Sequence, residues 1–181
     1  TGVAVVTAYN GQHYGPSAYY AHLALAHDMI GISMTTGGLL VTPTQGAERL
    51  LGLNPIGIAA PSDAEVPFIF DASMSSVAAN KIQLLRRVDG NVAPGWISDA
   101  EGAPVMEESP VLEGFMMLPL GGTREIGSHK GFGLAMLVEI LCGVLTGTGG
   151  GPFRRQGTAH YFMAYDVGAF CDVATFKKDM D

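Results

Sequence analysis

The chain has 181 residues, a formal net charge of −7, 48% apolar and only 15% charged residues, and 25 glycines. That length suits one ordinary domain with a sizeable core and argues against a solenoid, a disulfide-stapled miniprotein or a disordered tail. Ten basic residues scattered along an acidic chain lack the electrostatic footprint of a nucleic-acid binder, and the apolar stretch 131–144, interrupted by Glu139, falls short of the roughly 20 residues of a membrane span.

The chain opens on Thr1 with neither an initiator Met nor a signal-peptide pattern, so residues 1–181 read as one domain cut from a longer, cytoplasmic protein. Cys142 and Cys171 make no disulfide framework, which points to a reducing compartment.

In chain order, residues 2–8 form a β-branched run that predicts a buried strand, followed by a glycine-rich loop, 9–15. Pro16 stands at a favourable first helical position, and Tyr19, Leu23 and Ala26 carry helical spacing through Asp28. Residues 30–34 are a second strand, and strand–helix–strand predicts a crossover with two parallel strands. The stretch 37–55, rich in Gly, Thr and Pro, is irregular, and two more strands follow at 56–60 and 68–70. Segment 71–76 leads into a helix ending near Val88, with Ala78, Ile82 and Leu85 as its apolar stripe. Turn dipeptides mark 89–110 as a surface excursion pinned by Trp96. An apolar segment at 115–120, a polar loop at 121–130 and a helix starting near Ser128 come next, the helix burying Leu134, Leu137, Val138, Leu141 and Leu145. A last strand covers 161–165. The expected fold is an α/β domain with a mixed, largely parallel sheet and flanking helices.

In such sheets ligands settle beyond the carboxyl ends of the strands, where loops 9–15, 71–76 and 121–130 are expected to share one mouth. The third loop carries the sharpest argument. A helix start favours acidic side chains, yet Ser128, a good N-cap, is followed by His129 and Lys130. Two potential cations there oppose the helix dipole by ~0.3–1 kcal/mol each, which a bound anion such as phosphate offsets. From spacing alone, an anion site and a pair of solvated side chains both fit. Asp71, Ala72, Ser73 and Ser75 lie at a strand-to-helix junction suited to ribose or phosphate oxygens, although a plain helix cap is the commoner use of such residues. His13, between Gly11 and Gly15, has the chemistry to give and take a proton near neutral pH, but a lone loop histidine more often only hydrogen-bonds at the surface. His160 has no partner by sequence. No G-x-G-x-x-G opens the crossover unit, no phosphate-loop or G-x-S-x-G signature appears, and no cluster has metal-ligand spacing, so a standard Rossmann, kinase or hydrolase reading is disfavoured.

Asn10-Gly11-Gln12-His13-Tyr14-Gly15, Met29-Ile30-Gly31-Ile32-Ser33-Met34-Thr35 and Gly52-Leu53-Asn54-Pro55-Ile56, with Ala59-Ala60-Pro61, resemble the malate/L-lactate dehydrogenase family of NAD(P)-dependent oxidoreductases. The likeness continues through Leu118-Pro119-Leu120-Gly121-Gly122-Thr123-Arg124-Glu125, Ser128-His129-Lys130-Gly131-Phe132-Gly133-Leu134 and residues 139–147, nearly the whole chain in order. The resemblance implies a non-Rossmann nucleotide-binding fold, with hydride transfer between NAD or NADP and a 2-hydroxy acid or its 2-oxo counterpart, such as malate or lactate. It also implies a homodimer. It assigns His13 as acid/base catalyst, Asp71, Ala72, Ser73 and Ser75 as a first cofactor-contacting segment, and Lys130 with His129 as a second; the candidate cation for the substrate carboxylate is Arg124 or an arginine of the family's missing N-terminal part.

Two departures accompany the likeness. Thr36-Gly37-Gly38 stands where family members often carry Asn or Ser after Met-Thr. The family's N-terminal Ser-His-Gly segment is missing, so two assignments of the proton donor stay open: His13, or a histidine of that segment. A nucleotide-binding module without turnover is the alternative function.

Overall fold

The computed structural model describes residues 2–181. Its longer strands are β1 (Val3–Gly11), β2 (Met29–Thr35), β3 (Ile56–Ala60) and β4 (Phe68–Ala72); β5 (Asn91–Val92), β6 (Ile97–Ser98), β7 (Ser109–Pro110) and β8 (Met116–Met117) are two-residue pieces, and β9 (Thr158–Asp166) is long again. The helices are α1 (Ser17–His22), α2 (Ala79–Arg87), α3 (Ser128–Val138) and α4 (Val173–Met180). Among the described residues no helix is long and apolar enough to cross a membrane.

The five long strands form one sheet in the order β1-β9-β2-β3-β4. Every pairing in it is antiparallel, which corrects the expected largely parallel sheet. The crossover through α1 does send β1 and β2 in the same direction. They never pair, however, because β9 lies between them, antiparallel to both. Local periodicity reports a strand and its face but not which distant strand fills the adjacent slot.

Helices cover both faces of the sheet. α1 lies directly on β2 and β3 because two glycines leave room for its backbone: a Cβ on Gly31 would sit 2.1 Å from the Ala21 carbonyl oxygen, and one on Gly57 2.5 Å from the Ser17 carbonyl carbon. The helix is shorter than its sequence pattern. It tightens into a 3₁₀ turn at Leu23–His27 and stops at Asp28, whose φ of 52° ends the helical path. The opposite face carries α3 and a π-helical continuation, Glu139–Val144, where Val138 and Cys142 pack on Met34, Ala159 and Tyr161.

The orientation of α3 departs from the expected leucine stripe. Leu134, Leu137 and Leu145 are 41%, 43% and 61% exposed; Val138 is buried and Leu141 packs on the core as expected, but they are joined there by Gly131, Ala135 and Cys142. Small residues win because the backbones approach closely; a Cβ on Gly131 would lie 2.2 Å from the Leu120 carbonyl oxygen. Burial pushes the Cys142 thiol up to about 12, so it stays protonated and inert.

A second core gathers Val41, Leu51, Met74, Ile82, Val92, Ile97 and Met117 beside α2. Val92 and Ile97 are fully buried, and β5 pairs β7 while β6 pairs β8, so residues 92–98 belong to this core, while most of residues 100–108 run exposed over the surface as expected. Trp96 packs against it as expected, beneath the Lys81 ammonium.

Candidate active site

Since β1, β2 and β4 point the same way, their carboxyl ends open together with the amino ends of β3 and β9. A cavity of about 450 Å³ lies there, lined by His13 after β1, Thr35, Thr36 and Gly37 at the end of β2, Ser73 after β4, and Thr158 at the start of β9. Two of the three expected loops therefore meet in one hollow, although the sheet that brings them together is antiparallel.

The His13 imidazole is exposed, and the Gly15 N–H lies 3.2 Å from its Nδ1. A backbone amide can only donate, so Nδ1 accepts and the ring proton sits on Nε2. Its loop is fixed through the next residue. The Tyr14 hydroxyl lies 2.7 Å from Ser17 Oγ and 3.0 Å from Ser33 Oγ, and Tyr20 donates to the Tyr14 carbonyl over 3.0 Å. Burial raises the Tyr14 phenol above its ordinary range, which keeps it protonated. His160, without a partner in the sequence, stacks on the Tyr14 ring at 4.7 Å and 10° and places Nδ1 2.7 Å from Thr35 Oγ1. It is buried, and desolvation pulls its pKa below the ordinary histidine value.

The residues of the second loop divide. Ser73 faces the cavity, while Ala72 belongs to β4 and packs towards the second core. The Asp71 carboxylate accepts the Ala18 N–H over 2.8 Å at the start of α1, a helix whose own N-cap, Pro16, offers no side-chain acceptor. Asp71 thus ties β4 to the helix that follows the His13 loop. Ser75 is buried and donates to the Val77 carbonyl over 2.7 Å. The plain helix-cap reading of 71–76 does not hold, for α2 begins only at Ala79; Ser75 instead bridges to Pro119, and Ser76 donates to the Pro119 carbonyl over 2.6 Å.

At the third loop the helix starts at Ser128 as expected, but Gly127, with φ 109°, is the N-cap, and the Ser128 hydroxyl lies 3.0 Å from Thr44 Oγ1. His129 and Lys130 are exposed at this terminus. Arg124 donates to His129 Nδ1 over 3.0 Å, which leaves the proton of that ring on Nε2. Among the described residues Arg124 and Lys130 form no ion pair. A second cavity of about 480 Å³ lies here, lined by Arg124, Thr123, Ser128 and Gln45.

His13, Asp71 and Lys130 do not line one hollow: His13 and Ser73 share the first cavity, and Arg124 lines the second. The two are joined by chain. Leu40 lines the first and Pro43 the second, a separation of at most about 10 Å along extended backbone. Segment 73–76 also runs beside 118–120, against which Gly131 of α3 packs. Sequence reasoning missed Thr158 in the cavity wall, although its place at a strand end was a usable signal, whereas Thr35 and Thr36 lie in stretches that the family likeness singles out.

A family model described as malate/L-lactate dehydrogenase matches residues 1–181. Malate dehydrogenase of Pyrococcus horikoshii is 40% identical over 185 residues, which cover 98% of this chain and 51% of that protein. Malate/(S)-sulfolactate dehydrogenase of Methanothermus fervidus is 33% identical over 189 residues, covering 100% of this chain and 53% of its own. Among solved structures, malate dehydrogenase from Entamoeba histolytica superposes with a TM-score of 0.86 at 29% identity, over 98% of this chain and 53% of that one. The chain spans about half the length of the curated relatives it matches.

Proposed function

The chain belongs to the malate/L-lactate dehydrogenase family, and from that premise we propose that it forms the nucleotide-binding domain of an oxidoreductase. The reaction passes hydride between NAD or NADP and a small 2-hydroxy acid or its 2-oxo counterpart, of the malate, lactate or sulfolactate kind. The observation that carries this reading is the placement of His13 and Ser73 in one cavity at the end of the sheet, within a chain that matches the family from end to end.

The residues fit such a cofactor. Exposed cationic groups at Arg124 and Lys130, the outward Nε2–H of His129 and the start of α3 together suit an anionic phosphate, and Ser73 and the free oxygen of Asp71 suit ribose hydroxyls. The cofactor supplies the hydride. His13 presents Nε2–H to the reacting oxygen of a substrate in the first cavity, stabilising negative charge there during reduction. Thr35, Thr36 and Thr158 form the wall beside it, their hydroxyls donating to the Ala159 and Gln12 carbonyls. Arg124, expected as the cation for a substrate carboxylate, lines the other cavity and serves the phosphate end in this reading. The homodimer and a reducing, cytoplasmic setting belong to it as well; both cysteines are free.

The test titrates NADH and NADPH by fluorescence and follows 2-oxo-acid-dependent NAD(P)H oxidation. Lys130→Met is expected to weaken nucleotide binding about tenfold, roughly the loss of one charge-assisted contact. His13→Gln is expected to lower kcat by about a hundredfold with nucleotide affinity kept. Unchanged affinity in the first variant removes Lys130 from the site. Binding without oxidation in the parent protein reduces the reading to a nucleotide-binding module.

A further inference from the structure

A buried ionic cluster behind the His13 cavity has no part in the reaction proposed for it. Glu139, 2% exposed, begins the π-helical segment that continues α3. Its Oε1 accepts from Asn54 Nδ2 at 2.9 Å and from Arg154 Nη2 at 3.1 Å, and its Oε2 accepts from the Gly151 N–H at 2.9 Å. Asn54 is completely buried; its second amide hydrogen goes to the Ala135 carbonyl at 3.0 Å, and its Oδ1 accepts the Gly37 N–H at 3.0 Å. Arg154 Nη1 donates to the Gly37 carbonyl. Both main-chain polar groups of Gly37 are therefore held by one carboxylate-centred cluster, from opposite sides.

Gly37 and Gly38 line the cavity that contains His13. Two consecutive glycines form the most conformationally free dipeptide available, so their position must be imposed from outside. A buried ion pair is a costly way to gain stability, since apolar residues of similar volume often serve as well or better. A π-helical turn at the carboxylate is likewise a feature that recurs at functional sites. Cost, geometry and location agree if the cluster holds a loop in place instead of merely filling a core.

We propose that Glu139, Asn54 and Arg154 are positioning residues that fix the Gly37–Gly38 backbone as a rigid wall at the substrate end of the cavity. The inference rests on the reading of that cavity as a 2-oxo-acid site. Arg154 is the member that separates positioning from structure: a lysine there still pairs with Glu139, but its single nitrogen cannot also replace the guanidinium fork that reaches Gly37.

The experiment uses Arg154→Lys and Glu139→Gln in the full protein, with two readouts. Hydrogen–deuterium exchange of the 36–38 amides, measured without ligand, is expected to accelerate at least about tenfold in Arg154→Lys while the amides of β9 exchange as before. The KM for the 2-oxo acid is expected to rise about tenfold or more, with the NADH dissociation constant within about twofold of the parent. Unchanged exchange at 36–38 in Arg154→Lys overturns the proposal, as does faster exchange with KM unaltered in an active enzyme. If none of the 2-oxo acids supports NAD(P)H oxidation by the parent protein, the reading of the cavity fails on its own, and the exchange measurement alone then decides whether the clamp exists. Should Arg154→Lys fail to fold, Glu139→Gln, which keeps the volume and one acceptor oxygen, takes its place in both measurements, and the same results support or overturn the clamp.

Discussion

His160 makes the molecule sensitive to acid. Buried against Gly11, with its ring face on Tyr14, it has its pKa drawn below 6.5 by desolvation in the folded state. The unfolded chain binds this proton from about pH 6.5 downward, where the folded protein resists it, so the neutral ring's contribution is intact above that pH and is lost as pH falls through the folded value. Unfolding free energy is expected to decline through this group on acidification below about pH 6.5. In His160→Gln that part of the slope disappears, although the variant is less stable at pH 7; denaturant titrations at several pH values check it. Equal slopes in the two proteins assign the acid sensitivity elsewhere. The same imidazole stacks on Tyr14, beside His13 in the loop.

Secondary-structure elements meet here through absent side chains. The two glycines under α1 let its backbone rest on the sheet, and Gly31→Ala would place a methyl carbon 2.1 Å from the Ala21 carbonyl oxygen, too close for any rotamer change to relieve. The variant is expected to lose about 1–3 kcal/mol, the usual cost of overpacking, and to displace the His13 loop with the helix. Thermal melting and the near-ultraviolet signal of Tyr14 and Tyr20 read the two effects. Such contacts also mark where the sequence was hard to read. Strands 2–8, 30–34, 56–60 and 68–70 were legible from β-branched and aromatic runs, and α3 from its start at Ser128, but a rule that buries the largest apolar side chains turned α3 the wrong way. Gly131, Ala135 and Cys142 give no strong hydrophobic signal, yet closeness of approach decides the packed face. The His13 cavity was legible in part, because strand ends and loops follow from local pattern. Its rear support from Glu139 and Arg154 was not, since the pairing depends on the path of the chain through Gly37 and Asn54.

On the scale of the whole molecule, β9 is the member that unites the fold. It pairs on one side with β1 from Val3↔Tyr165 to Gly11↔Thr158 and on the other with β2 from Met29↔Asp166 to Thr35↔His160. Its amides are expected to exchange most slowly in the protein, at close to the global unfolding free energy, while those on the outer edges of β1 and β4 exchange at least about a hundredfold faster. A residue-resolved exchange profile with β4 as slow as β9 would contradict this arrangement. The sheet cannot close until Asp166 has left the ribosome, because the slot between two early strands is reserved for a late one. At ordinary elongation rates the gap between making β2 and making β9 is on the order of ten seconds. Throughout that interval β2 has only β3 beside it and β1 lacks its partner in the sheet, a state whose open edges invite pairing with other chains and make a holding chaperone useful during synthesis.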